Sequence, residues 1–256
     1  MFARIILALS ALSLVAGCTS AEAQKRNRQM RAAQTFLKTQ GSIGDPGRVA
    51  AADLAMAKAA REDGTWTALR DFAAEDAVMD SGPDYAPAAE VLSGRADPAE
   101  PLRWAPSDVW SSCDGRLAVT LGRFLRPNGL VGDYLTVWQL QDDNSYAWIY
   151  DTGTPDDPQP APEPAADIPD GAIVVPGLRA LQGRVADCPR SLAEGETYPE
   201  LPLAVQPFTT RHAVEAPDKS LMVTRYLGQD GSRSVAVHWV REGEVQMATS
   251  LTSPAP

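Results

Sequence analysis

The chain has 256 residues, with 23 Lys and Arg against 33 Asp and Glu, a net charge of −10 at pH 7. A surface this acidic repels phosphate backbones and argues against nucleic acid as a partner. The sequence holds no HExxH, no GxSxG, no glycine-rich phosphate loop and no CxxC. That lowers hydrolase, nucleotide and redox readings and implies neither cofactor nor metal.

Met1 to Arg4 give a short positive start, and Ile5 to Val15 form an 11-residue hydrophobic run. A bilayer span needs roughly 20 residues, so this run has the length of a signal-peptide core. Val15-Ala16-Gly17-Cys18 follows directly. These four residues resemble the lipobox of bacterial lipoprotein precursors. The resemblance implies a signal peptide over residues 1–17, cleavage before Cys18, diacylglycerol on the Cys18 sulfur and an acyl group such as palmitate on the new N-terminus. It implies a membrane-anchored protein of the cell envelope facing the periplasm, and Thr19 favours the outer over the inner membrane. The mature chain then has 239 residues, with 22 basic and 33 acidic side chains once Arg4 is lost, a net charge of −11. Only three cysteines occur. With Cys18 lipidated, Cys113 and Cys188 are expected to pair outside the cytoplasm, the alternative being two buried free thiols.

Residues 18–44 read as a lipidated tether followed by a basic helix. Within it Lys25, Arg26, Arg28, Arg31 and Lys38 either lie on anionic headgroups or are simply solvated. Asp45-Pro46 is a helix start, a capping carboxylate and then proline at the first helical position. That helix is predicted to reach Glu62 with Val49, Ala52, Met56 and Ala60 on one face, and Gly64 ends it. Thr65 is expected to cap a second helix carrying Trp66, Leu69 and either Phe72 or Ala73 inward. Pro83 and Pro87 interrupt the chain, and Ala88 to Leu92 make one helical turn.

From Trp104 the pattern is β. Leu117, Val119 and Leu121 alternate on one face. Asn128-Gly129 predicts a two-residue type I′ hairpin that sets Val119 opposite Trp138 and Leu117 opposite Leu140. This places Tyr134, Trp138 and Leu140 on the Leu117 face, and Phe124, Leu135, Val137 and Ile149 on the other. The turn at Asp142-Asp143-Asn144 leaves the next register open: three residues put Trp148 opposite Trp138, while two or four flip the Tyr146, Trp148, Tyr150 set. A sheet with two apolar faces needs two covers, the second being a partner subunit or the rest of this chain. Residues 154–170, rich in Pro and acid, read as an extended linker. Residues 171–256 read as a β-rich extension packing on the first unit, a three-stranded meander over Ser220–Leu227, Ser232–Val240 and Glu244–Leu251.

Long helix, shorter helix, short strand, helical turn, and then a long meander through Thr136-Val137-Trp138-Gln139 to Trp148-Ile149-Tyr150-Asp151: over residues 45–153 this order is similar to the SnoaL-like, ketosteroid-isomerase-like superfamily, which includes nuclear transport factor 2. The resemblance implies an α+β fold, a cone-shaped curved antiparallel sheet wrapping N-terminal helices around an apolar pocket. It does not fix function. Trp66, Tyr134, Trp138, Trp148, Tyr150 and Asp151 are candidates for the pocket wall, with plain core packing as the alternative. No catalytic residue is assigned; Asp76 and Asp80, with Asp151, are the candidates for a pocket base. His212 and His238 make no metal or triad pattern.

The leading expectation is a non-catalytic lipoprotein that binds a small apolar ligand or an envelope partner protein. Its oligomeric state is open. An isomerase or hydratase using a pocket aspartate is the second expectation, and a structural lipoprotein with a filled core the third. A pocket on the order of 300 Å³ or more marks ligand binding. An inward carboxylate of raised pKa beside a tyrosine hydroxyl marks an enzyme.

Overall fold

The computed structural model describes residues 43–81, 84–161, 180–189 and 208–254. The signal segment, Cys18, the basic helix and residues 162–170 of the linker lie outside the described residues. Asp45 caps α1 (Pro46–Glu62), its Oδ1 accepting from Gly47 N at 2.9 Å and Arg48 N at 3.3 Å. The buried face carries Val49, Met56 and Ala60 as expected, together with Ala50, Asp53 and Ala57. Gly64, at φ +115°, precedes α2 (Thr65–Asp71). Thr65 does not cap it. Asp97 reaches across instead, its Oδ1 accepting from Trp66 N (2.6 Å) and Thr67 N (3.2 Å) and its Oδ2 from the Thr67 hydroxyl (2.6 Å). A full negative charge at a helix N-terminus outcompetes a neutral hydroxyl, and Thr65 Oγ1 is left to accept from Leu102 N at 3.0 Å.

Seven strands build one large, curved, unclosed sheet: β1 (Ala73–Ser81), β2 (Asp84–Pro87), β3 (Arg103–Ser111), β4 (Leu117–Leu125), β5 (Val131–Leu140), β6 (Tyr146–Pro155) and β7 (Gln182–Val185). Their order is β2-β1-β6-β5-β4-β3-β7, and α3 (Ala88–Leu92) follows β2. The sheet is mixed, not wholly antiparallel: β1 runs parallel to β6, and β7 parallel to β3. Hairpins make antiparallel neighbours, whereas β1 and β7 reach their partners through long connections. β6 also runs further than expected, since Thr154 and Pro155 still pair with Asp133 and Gly132.

The β4–β5 hairpin corrects the predicted register. Its loop is Pro127-Asn128-Gly129, three residues, closed by Arg126 N donating to Leu130 O at 2.8 Å. Only Gly129 has positive φ, +86°. Proline fixes the first loop position near −65°, which suits a type I turn and is incompatible with the positive φ that type I′ requires there. Val119 therefore faces Val137, and Leu117 faces Gln139. A one-residue shift turns every side chain over. Tyr134, Trp138 and Phe124 join the helices, while Leu117, Val119, Leu135, Val137 and Ile149 occupy the opposite face.

The β5–β6 loop, Asp142-Asp143-Asn144, also holds three residues, with Asn144 at φ +65°. Trp148 consequently sits opposite Trp138. The register then slips between Val137 and Trp138, so that Tyr150 pairs with Val137. This bulge sends Trp148 to the helix side and Tyr150 to the other.

That other face is covered by the chain itself. β8 (Phe208–Glu215), β9 (Leu221–Gly228), β10 (Arg233–Arg241) and β11 (Glu244–Ser253) form a second sheet in the order β11-β10-β9-β8. It has four strands where the sequence predicts three. β8 carries little apolar signal because it is an edge strand, tied to β9 at pairs such as Val214 with Val223. Leu221, Val223, Val235, Val237, Trp239 and Leu251 share a core with Trp110, Leu117, Val119, Leu135, Val137 and Ile149 of the large sheet. Cys113 and Cys188 lie at disulfide distance, with Cα atoms 5.0 Å apart. They sit at the seam: Cys113 N donates to Ser220 Oγ at 2.8 Å, and Asp187 N to Val240 O at 2.9 Å.

Candidate functional site

A cavity of about 160 Å³ opens between the helices and the large sheet. Its apolar wall includes Met56 of α1, Trp66 and Leu69 of α2, Met79 of β1, and Trp104 and Phe124 of β3 and β4. Tyr134, Asp151 and Arg126 supply its polar groups. The volume falls well below the roughly 300 Å³ of a drug-sized pocket. Two glycines make room for the aromatic wall. Gly122 pairs with Tyr134 and Gly132 with Phe124 across β4 and β5. A Cβ on Gly122 would fall 2.7 Å from Tyr134 Cε1, and one on Gly132 2.5 Å from Phe124 Cζ. Each ring thus lies over a bare strand position.

Asp53 stands behind this wall, fully buried. Trp104 Nε1 donates to its Oδ1 at 2.9 Å, and the Tyr134 hydroxyl lies 3.2 Å from Oδ1 and 3.1 Å from Oδ2. Thr120 adds a further bond, and Thr120 Oγ1 accepts in turn from Trp138 Nε1 at 3.0 Å. Burial raises the Asp53 pKa to about 6, with the bonds from Thr120, Trp104 and Tyr134 acting in the opposite sense. Burial, followed by the negative charge of Asp53, holds the Tyr134 hydroxyl well above its ordinary value, so it stays protonated and serves as a donor.

Asp151 is half-buried and lines the cavity. Thr136 Oγ1 donates to it at 2.5 Å. Burial pushes its pKa to about 7, the Thr136 bond opposing and the charges of Asp53 and Asp80 reinforcing the rise. Near neutral pH this carboxyl therefore populates both its protonated and its ionised form.

Of the expected pocket residues the structure brings together Trp66, Tyr134 and Asp151 at this cavity. Trp138 and Trp148 are fully buried core, Trp148 donating from Nε1 to Leu69 O at 2.9 Å. Tyr150 lies on the other face, where its hydroxyl donates to Asp80 Oδ1 at 3.0 Å. Asp80 also accepts from Thr152 Oγ1 at 3.0 Å. Asp76 is exposed. His212 is exposed and edge-on to Tyr85, and His238 is buried in β10. Among the described residues no cluster of three His, Cys, Asp or Glu side chains is placed to hold a metal.

Sequence reasoning missed Asp53, although the signal was present. Asp53 lies four residues after Val49 and three before Met56, on the same helical stripe. A carboxylate on an apolar stripe calls for buried donors, and Trp104 and Tyr134 supply them.

The chain matches no family model and no curated protein sequence.

Proposed function

We propose that this chain is a lipid-anchored cell-envelope protein whose helix-side cavity binds a small, mainly apolar ligand bearing one hydrogen-bonding group. The observation that carries this reading is the composition of the cavity: an aromatic and methionine wall around one titratable carboxyl, Asp151. Apolar surroundings with a few placed polar groups, here Asp151, Tyr134, Arg126 and Thr152, are the usual makeup of a small-molecule site. About 160 Å³ restricts the ligand to a handful of heavy atoms. Helices packed on a curved sheet agree with the SnoaL-like resemblance, and the cone belongs to this proposal. The lipobox-like Val15-Ala16-Gly17-Cys18 supports an envelope address with an anchor through Cys18.

One observation favours acid–base chemistry as a second reading. Asp151, with a pKa of about 7, lines the cavity together with the cationic Arg126. A carboxyl poised near the working pH beside a positive group is a pairing that proton abstraction next to a carbonyl can use. Here Asp151 would take the proton and Arg126 would face the developing oxyanion, since the one Tyr134 proton is committed to Asp53.

The test is extraction of the intact lipoprotein in mild detergent, followed by native mass spectrometry. The expected result is a discrete small molecule bound to the wild type and lost from Asp151→Leu. A wild type carrying no adduct, and binding none from a membrane extract, rejects the proposal. Turnover of the released molecule by the wild type but not by Asp151→Asn selects the enzymatic reading.

A further inference from the structure

A second cavity, of about 140 Å³, lies between the two sheets. Val78, Val137, Ile149, Val214 and Val223 line it, with Asp76 and Arg225 as its charged groups. Its position in the pattern is unusual. Residues 221, 223 and 225 of β9 point inward to the large sheet, and the first two are Leu and Val. Arginine occupies the third place, where burial of a charge is costly unless a partner meets it. The guanidinium lies against two rings that meet edge-on, 4.7 Å from the Tyr85 centroid and 4.8 Å from that of Tyr150. Its Nη1 is sealed from solvent, and among the described residues nothing accepts a hydrogen bond from it. The Tyr85 hydroxyl is buried and unbonded in the same way. Asp80, the nearby carboxylate, is already held by Tyr150 and Thr152.

We propose that this cavity is a binding site for a short-chain aliphatic monocarboxylate, whose carboxylate accepts from Arg225 Nη1 and whose chain lies among the valines. Ring faces attract the cation but supply no acceptor for its N–H groups. A carboxylate oxygen does, and a charge-assisted bond to a nitrogen sealed from solvent is strong. The volume suits about five water-sized units, the bulk of a three- to five-carbon acid. Asp76 and Asp80 on the same side disfavour a second negative charge, so dicarboxylates and phosphate are poor fits.

The test titrates methyl-labelled butyrate into the full mature chain and reads intermolecular nuclear Overhauser effects. Saturable binding is expected with Kd on the order of 1 mM or tighter, with contacts to the Val223 and Ile149 methyls and weak competition by succinate. Arg225→Met keeps the bulk against the rings and is expected to weaken binding at least about tenfold. Val214→Phe, at the edge strand, fills the cavity without touching the charge and is expected to abolish it. Absence of saturation, contacts confined to Met56 and Met79 of the other cavity, or unchanged affinity in folded Arg225→Met overturns the proposal. The wild-type contacts decide the matter even where a variant does not fold.

Discussion

Tyr134 and Asp53, 81 positions apart in the chain, meet in the core with the phenol hydroxyl 3.1 Å from Oδ2 and 3.2 Å from Oδ1. This bond favours the ionised carboxylate against the burial that opposes it. Tyr134→Phe removes one donor and so raises the Asp53 pKa above its present value of about 6. The stability loss should be larger at about pH 8, where Asp53 is ionised, than at about pH 5, where it is protonated, with a cost of about 1–3 kcal/mol at the higher pH. Chemical denaturation at the two pH values measures it. Equal losses would mean that the tyrosine acts through packing alone.

The pH dependence of folding has a definite sign. Asp53 and Asp151 are raised from an ordinary 3.8 to about 6 and about 7. A carboxyl raised on folding contributes stability that is complete below its unfolded pKa and lost as pH rises through the folded one. Asp97, Asp143, Asp156 and Asp230 are lowered, mainly by side-chain hydrogen bonds from Thr67, Ser145, Arg123 and Ser232. Their contribution is present above the ordinary carboxylate range and lost in acid. His238, lowered by burial, also loses stability as pH falls through the ordinary histidine range. The clean measurement is therefore the difference between wild type and Asp151→Asn. From about pH 4 to about pH 8 the variant should gain on the wild type by on the order of 2 kcal/mol, discounted for partial exposure. A constant difference across that range contradicts the assigned shift.

The β4–β5 hairpin sets which aromatic side chains reach the cavity. Gly129 is at φ +86° with open space around it, so Gly129→Ala should cost about 1–2 kcal/mol from the backbone alone. Deleting Asn128 keeps Arg126 opposite Leu130 across a two-residue Pro-Gly loop, in which Pro127 cannot take the positive φ that a primed turn needs at its first position. Tyr134 and Trp138 should stay on the helix side, with near-ultraviolet circular dichroism unchanged, while the strained loop costs about 1–3 kcal/mol in chemical denaturation. A deletion variant as stable as the wild type would show that the loop does not constrain the hairpin.

The same hairpin shows where the sequence stops being legible. α1, its Asp45 cap, α3, strands β4 to β6 and β9 to β11 and the two-faced sheet could be read from local pattern, because each depends on residues within a turn or two of one another; the edge strands β7 and β8 could not. Register could not, because Pro127 and Gly129 decide between two loops one residue apart, and the consequence falls on side chains ten positions away. The bulge that separates Trp148 from Tyr150 left no local mark. Asp97 capping α2 and Asp53 meeting Trp104 and Tyr134 are contacts across 30 residues or more, invisible to periodicity. The Glu242-Gly243 turn, by contrast, has both residues at positive φ, +57° and +77°. No proline holds either position, so both are free to take the positive φ of a two-residue loop.

Cys113 and Cys188, 75 residues apart, join the loop after β3 to the segment after β7. Closing a loop of that length should stabilise the fold by about 4 kcal/mol if the effect lies in the unfolded chain. Replacing both cysteines by serine should lower the denaturation midpoint accordingly, and non-reducing mass spectrometry of the wild type should show no free thiol on either. Two thiols titratable after unfolding without reductant would remove the bridge.

Anchoring through Cys18 makes a prediction independent of the cavities. Metabolic labelling with palmitate should mark the wild type and not Cys18→Ala, and globomycin, which blocks lipoprotein signal cleavage, should accumulate the unprocessed form. The variant bears on more than the anchor. With Cys18 gone, Cys113 and Cys188 become the only thiols in the chain, so their pairing should persist unchanged if lipid and bridge are independent. An unlabelled wild type would remove the periplasm-facing address, and with it the oxidising surroundings that favour the bridge. The helix-side cavity, with Asp151 among its apolar walls, would then have to be explained in another compartment.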